Sequence, residues 1–293
     1  MKLANFFEGG SARLGLVEAD EIVDIASAGA GLPTSVQELL GAGEGAMEAI
    51  GRAARVARRL PLSQVKLGPP ITSPRKFLGL ALSFRSHVEE MRAKGIVADR
   101  QMWFNKQVSC INGPYDDIHL PGVSRELDYE GELAFVIGRS ARHVPRGQAR
   151  SIIAGYFICN DVSVRDWQRR SPTGTLGKSF DTHGPIGPWL TTADEVPHPE
   201  DLNIRTWVDG ELRQDGNTSE LLYTFGEMIE ELSTVFTLEP GDIITTGSPS
   251  GVGYSASPPR FLTAGQSVKV QIDGLGWIEN RVVPEPGRAS LAD

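Results

Sequence analysis

A β-rich α+β fold is predicted by three features of the sequence: short apolar runs separated by Gly/Pro turns, few stretches with helical periodicity, and no glycine-rich strand-to-helix phosphate fingerprint. The pair Gly251-x-Gly253 is too short for that fingerprint, which argues against a doubly wound sheet. In chain order, residues 14–18 and 21–24 read as short strands. Ser35 and Glu38 form a capping-box pattern ahead of Leu39 and Leu40. Residues 45–60, rich in Ala and Arg, favour a helix on composition, with Arg52, Arg55, Arg58 and Arg59 on a solvated face. Pro69-Pro70 and Ser73-Pro74 then punctuate the chain. A small N-terminal α/β domain over 1–70 and a larger domain over 71–293 are expected.

Beyond residue 70, strands are predicted over 77–82, 133–137, 152–159, 203–208, 242–246 and 268–272. Asp209-Gly210 marks a tight hairpin. Helices are expected only over 87–93, 164–169 and 223–233. No internal repeat and no low-complexity tract is present.

Bulk composition narrows the function classes. A net charge of −8 argues against binding a nucleic-acid backbone, which needs a basic face. Two cysteines, Cys110 and Cys159, predict no disulfide framework and fit a reducing cytoplasm. The N-terminal residues carry no signal-peptide core, and the apolar run over 152–159 is far below the ~20 residues of a membrane span. Neither a membrane nor a nucleic-acid partner is expected.

The chemistry concentrates in Asp128-Tyr129-Glu130-Gly131-Glu132-Leu133. Alternate residues of a strand share a face at about 6.6 Å spacing, so Glu130 and Glu132 reach one point while Leu133, Phe135 and Ile137 fill the other side. Two anions beside apolar residues need a compensating cation. Asp161 closes the apolar run over 152–159 and supplies a third carboxylate. An all-oxygen set suits Mg²⁺, Mn²⁺ or Ca²⁺ better than zinc. Taken alone, Glu-x-Glu also describes an exposed strand face with two solvated acids.

Lys178 stands in the glycine-flanked loop 174–181, either as a surface lysine or as an ammonium beside the metal. The segment 241–253 runs from a strand into a loop of hydroxyls and backbone N–H groups that could face an oxyanion. His87 and Glu90 lie three apart on a predicted helix, a carboxylate-oriented imidazole able to activate water. His183, close after Lys178, is a reserve histidine.

Together these segments resemble the fumarylacetoacetate hydrolase superfamily, in order from about residue 70 to 283. The resemblance implies an FAH-type mixed β-sandwich roll in which Glu130, Glu132 and Asp161 bind Mg²⁺ or Mn²⁺. Asn160-Asp161-Val162-Ser163-Val164-Arg165-Asp166-Trp167-Gln168 matches a family segment, which implies substrate contacts at Arg165 and Gln168. The same resemblance implies Lys178 as the active-site lysine, Ser248 and Thr246 as the substrate turn, and His87 with Glu90 as the dyad of the smaller acylpyruvase-type members, carried on a lid. Phe84 and Ser86 depart from the family's usual Tyr and Asp, and Phe84 falls at an expected substrate contact. The implied activity is metal-dependent cleavage of a 2,4-dioxo acid to pyruvate and a carboxylic acid. Decarboxylation of a 2-oxo diacid and dienoate isomerisation or hydration are alternatives on the same site. A silent scaffold is the non-enzymatic alternative. A small anionic oxo-acid substrate and a homodimer are the implied partners.

Overall fold

Gly131 shows why two sheets can meet over the acidic strand: a Cβ there would fall 2.4 Å from Thr206 Oγ1 and 2.9 Å from Val270 Cγ1. Only a glycine between the two glutamates lets the second sheet approach this closely. The computed structural model describes residues 1–43, 45–97 and 99–287. Its larger sheet has 12 strands among the described residues. The main path runs Arg58–Pro61, Glu21–Asp24, Ser11–Glu18, Lys2–Glu8, Gly184–Thr192, Ile153–Asn160, Gly131–Ile137, Ile243–Thr245, Phe77–Ala81, Met102–Asn105. A five-stranded sheet of Glu211–Asn217, Asn203–Val208, Ser267–Ile272, Gly276–Pro284 and Ile118–Leu120 packs against it. The β-rich mixed fold class expected from the sequence is the one observed.

Alternation along Gly131–Ile137 divides the core in two. Leu133, Phe135 and Ile137 face a cluster that includes Ile204, Val270 and Ile278 of the second sheet, closed by Phe225, Met228 and Ile229. Ala134 and Val136 face the opposite cluster with Leu14, Val36, Leu39 and Ile50 from the N-terminal region. Lys2–Glu8 is hydrogen-bonded to Gly184–Thr192, so the first strands extend the central sheet directly.

The capping box at Ser35 forms, Glu38 N donating to Ser35 Oγ at 3.1 Å ahead of the helix Val36–Gly41. Asp209 and Gly210 both have positive φ, 49° and 80°, as a two-residue hairpin requires. The helix expected over 45–60 is a correction: it covers only Ala46–Ala53, and Arg58–Pro61 is an edge strand. Acids on neighbouring strands decide this. Arg58 reaches Glu8 and Asp24 at 2.5 and 2.7 Å, and Arg59 reaches Glu18 and Glu21 at 2.7 and 3.1 Å. These partners lie far away in sequence, so composition over 45–60 does not reveal them.

Candidate active site

Five stretches of chain converge on one cavity of about 200 Å³. The strand Gly131–Ile137 and the residue before it bring Glu130 and Glu132 to its wall; the end of Ile153–Asn160 places Asp161 beside these two glutamates. All three are buried, and one ligand atom from each lies within 4.8 Å of the others. Backbone register holds them there: Asp161 N donates to the Glu130 carbonyl oxygen at 2.8 Å, and Glu130 N donates to Asn160 Oδ1 at 3.1 Å.

Two of the cations beside these acids are Lys178 and Arg165. Lys178 Nζ bonds Glu130 Oε2 and reaches Asp161 Oδ2 at 2.5 Å. A Cβ at Gly177 would fall 2.2 Å from the Gln168 backbone nitrogen, so this glycine lets the lysine loop press against the helix Arg165–Gln168. Arg165, buried, spans Asp128 Oδ2 at 2.8 Å and Glu130 Oε1 at 2.7 Å, with Gln168 Oε1 at 3.0 Å. The neighbouring Asp166 accepts from Ser124 Oγ at 2.6 Å.

These charges divide the two glutamates. Burial pushes Glu130 up, but Arg165 and then Lys178 outweigh it and hold the carboxyl well below the ordinary range. Burial, followed by the charges of Asp161 and Glu130, pushes Glu132 well above it. Its Oε2 accepts from Gly247 N at 2.9 Å. A buried carboxyl crowded by two others, in an all-oxygen donor set, is the environment that a divalent cation stabilises. The residues therefore fit Mg²⁺ or Mn²⁺.

The dyad forms on the helix Arg85–Arg92, with His87 Nδ1 2.8 Å from Glu90 Oε2 and His87 on the cavity wall. Glu90 also accepts from Gly251 N at 3.0 Å and Ser255 Oγ at 2.5 Å. Burial raises Glu90, yet the bonds from His87, Ser255 and Gly251 prevail and hold it low.

Gln168 and Ser248, two of the expected substrate contacts, line the cavity. Two other expected contacts are not on its wall. Phe84 is fully buried in the core with Phe135 and Phe225. Thr246 is buried too, its hydroxyl donating to the Leu133 carbonyl oxygen at 3.0 Å. Four donors of the 241–253 loop are already engaged within the protein. Gly247 N goes to Glu132, Gly251 N to Glu90, Gly253 N to Asp128, and Ser248 Oγ to the Gly131 carbonyl oxygen. Buried acids need those donors more. The reserve histidine, His183, sits off the cavity with Nε2 2.8 Å from the His119 carbonyl oxygen; burial takes it down to about 3.

Two residues were missed. Lys106, wholly buried, reaches Asp161 Oδ1 at 2.7 Å and the carbonyl oxygens of Lys178 and His183 at 2.5 and 3.0 Å. Asp128, beside the glutamates in sequence, accepts from Gly253 N, Tyr254 N and Arg165 and ties that loop to the floor. Nothing local marks Lys106, whereas an acid opening a buried strand does mark Asp128.

The family model described as fumarylacetoacetate (FAA) hydrolase C-terminal matches residues 76–283. Oxaloacetate tautomerase Fahd2a, mitochondrial, of Rattus norvegicus is 39% identical over 266 residues, 89% of this chain and 84% of that protein. The solved fumarylacetoacetate hydrolase from psychrophilic Exiguobacterium antarcticum superposes with a TM-score of 0.86 at 35% identity, covering 97% of this chain and 100% of that one. Maleylpyruvate hydrolase from Sphingobium sp. SYK-6, in complex with manganese(II) ion and pyruvate, gives 0.81 at 35% identity, covering 97% and 99%.

Proposed function

The chain belongs to the fumarylacetoacetate hydrolase superfamily, and on that premise we propose that it is a Mg²⁺- or Mn²⁺-dependent hydrolase cleaving 2,4-dioxo acids. One observation carries the reading: His87, bonded to Glu90, lines the same cavity as Lys178 and as Glu130 and Glu132 of the carboxylate triad. Held by Glu130, Glu132 and Asp161, the cation would act as a Lewis acid toward a 2-oxo carboxylate group.

The chain's own residues supply the rest. Glu90 keeps Nδ1 of His87 occupied, so Nε2 is the atom that takes a proton from water. The water oxygen adds to C4, and the C3–C4 bond breaks with its electron pair passing to C3. The proton at Nε2 then returns to C3, so that dioxo acid and water become pyruvate and a carboxylic acid. Lys178 offsets the negative charge that develops meanwhile. The test is pyruvate release from fumarylpyruvate and acylpyruvates with Mg²⁺, with Mn²⁺ and with EDTA. No metal-dependent release from any of them would defeat the reading.

A second reading, oxaloacetate tautomerisation, is favoured by the rat relative's activity. There His87 would move a proton between C3 and the 2-oxo oxygen without consuming water. Incorporation of ¹⁸O from water into the acid product separates the two. A cytoplasmic location and a homodimer complete the proposal; free, buried Cys110 and Cys159 support a reducing compartment. Among the described residues no helix is long and apolar enough to cross a membrane. The net charge of −8 supports a small-molecule partner over nucleic acid.

A further inference from the structure

We propose that the part of the cavity beyond the scissile bond is an apolar acyl subsite, so that the preferred substrates carry an uncharged hydrocarbon group on C4 rather than a second carboxylate. The inference rests on the reading above, in which water at His87 attacks C4.

If the nucleophile sits at His87, the substituent on C4 lies beside that residue. Met91 follows His87 by four residues on the helix Arg85–Arg92 and shares its face. Leu82, Ile96 and Met102 line the cavity with it, all from the single stretch 80–104, while the floor's charged residues come from 130–178. Leu82, Val88 and Met91 form a small buried cluster packed against Ala81 and Tyr254. Leu82 has φ of 53°, a left-handed backbone that a branched apolar residue adopts only when its surroundings hold it there. The wall is therefore built to be apolar at some conformational cost.

The cations on the cavity wall are already matched with acids. Arg165 lies between Asp128 and Glu130; Arg169 Nη2 donates to Glu126 Oε2 at 2.9 Å. Lys178 belongs to Glu130 and Asp161 on the floor. Beyond the wall, Lys94 Nζ donates to the Tyr254 carbonyl oxygen at 2.8 Å. A second carboxylate entering beside Met91 would lose hydration and meet no unmatched cation among the described cavity-lining residues. A hydrocarbon chain entering there would instead gain from burial.

The experiment compares the Mn²⁺-loaded protein on acetylpyruvate, butanoylpyruvate, hexanoylpyruvate and fumarylpyruvate. Specificity, kcat/KM, is expected to rise by about fourfold per buried methylene, chiefly through KM. Fumarylpyruvate is expected roughly tenfold or more below butanoylpyruvate. Ile96→Lys and Met102→Lys alter side chains 38% and 42% exposed, which the fold tolerates, and place an ammonium at the cavity mouth. Both are expected to shift the ratio several-fold towards fumarylpyruvate without changing Tm. Fumarylpyruvate matching or exceeding hexanoylpyruvate would overturn the subsite while leaving the hydrolase standing. Unmoved ratios in both lysine variants would overturn it too. Hydrolysis of none of the four would defeat the hydrolase reading itself, and the subsite with it.

Discussion

Glu130, Glu132 and Asp161 on the cavity floor are held from several directions, by Arg165, Lys178, Lys106 and Gly247 N. His87 and Glu90 on the helix Arg85–Arg92 lean instead on each other and on one loop, through Gly251 N and Ser255 Oγ. The floor binds anions to cations inside two packed sheets, where a missing partner leaves a buried charge exposed to the full desolvation cost. Beyond the helix Arg85–Arg92, Ile96 and Val97 are exposed. In the proposed reaction, metal binding and water activation thus fall to regions held by different contacts, and substitutions can separate the two tasks.

The largest expected effect is on the floor. Glu132→Ala removes an expected ligand, so turnover is lost and Mn²⁺ affinity, read by EPR titration, falls by more than the ~10–100-fold typical of an outer-shell change. His87→Ala targets the helix Arg85–Arg92: kcat falls about 10²–10⁴-fold while Mn²⁺ affinity stays at the wild-type value. A fall in affinity would join the two regions that the comparison separates. Lys106→Met tests how far the floor extends. With Asp161 Oδ1 and the Lys178 carbonyl oxygen both deprived of their donor, Mn²⁺ binding is expected to weaken about 10–100-fold and Tm to drop.

The smallest effect is on pH-dependent stability away from the site. Burial lowers His183 from 6.5 to about 3, so the unfolded chain binds a proton that the folded chain refuses between those values. Its contribution is complete above about 6.5 and is lost as the pH falls towards about 3. Tm is expected to decline over that window, and less steeply in His183→Asn.

Much of the floor was legible because its signals are local. Alternation places Glu130 and Glu132 on one face, Asp161 ends an apolar strand, and Lys178 stands in a glycine-flanked loop. The His87–Glu90 spacing fixes a shared helix face whatever the surroundings. Lys106 was not legible, because its three acceptors come from residues 161, 178 and 183 and its own neighbours, Asn105 and Gln107, are unremarkable polar residues. Phe84 and Thr246 sit next to cavity residues in sequence, yet their side chains turn into the core; only the packing of Phe135 and Phe225 and the Leu133 carbonyl oxygen determine that. The edge strand Arg58–Pro61 failed for the same reason, its acidic partners lying 34 or more residues away.

In the proposed reaction this cavity couples the metal held by Glu130, Glu132 and Asp161 to water activation at His87. The most direct test of that coupling is pyruvate release from butanoylpyruvate by the protein stripped with EDTA and then titrated with Mn²⁺. No release after stripping and saturable recovery with Mn²⁺ are expected. Release that persists through EDTA, or its absence at saturating Mn²⁺, would contradict it.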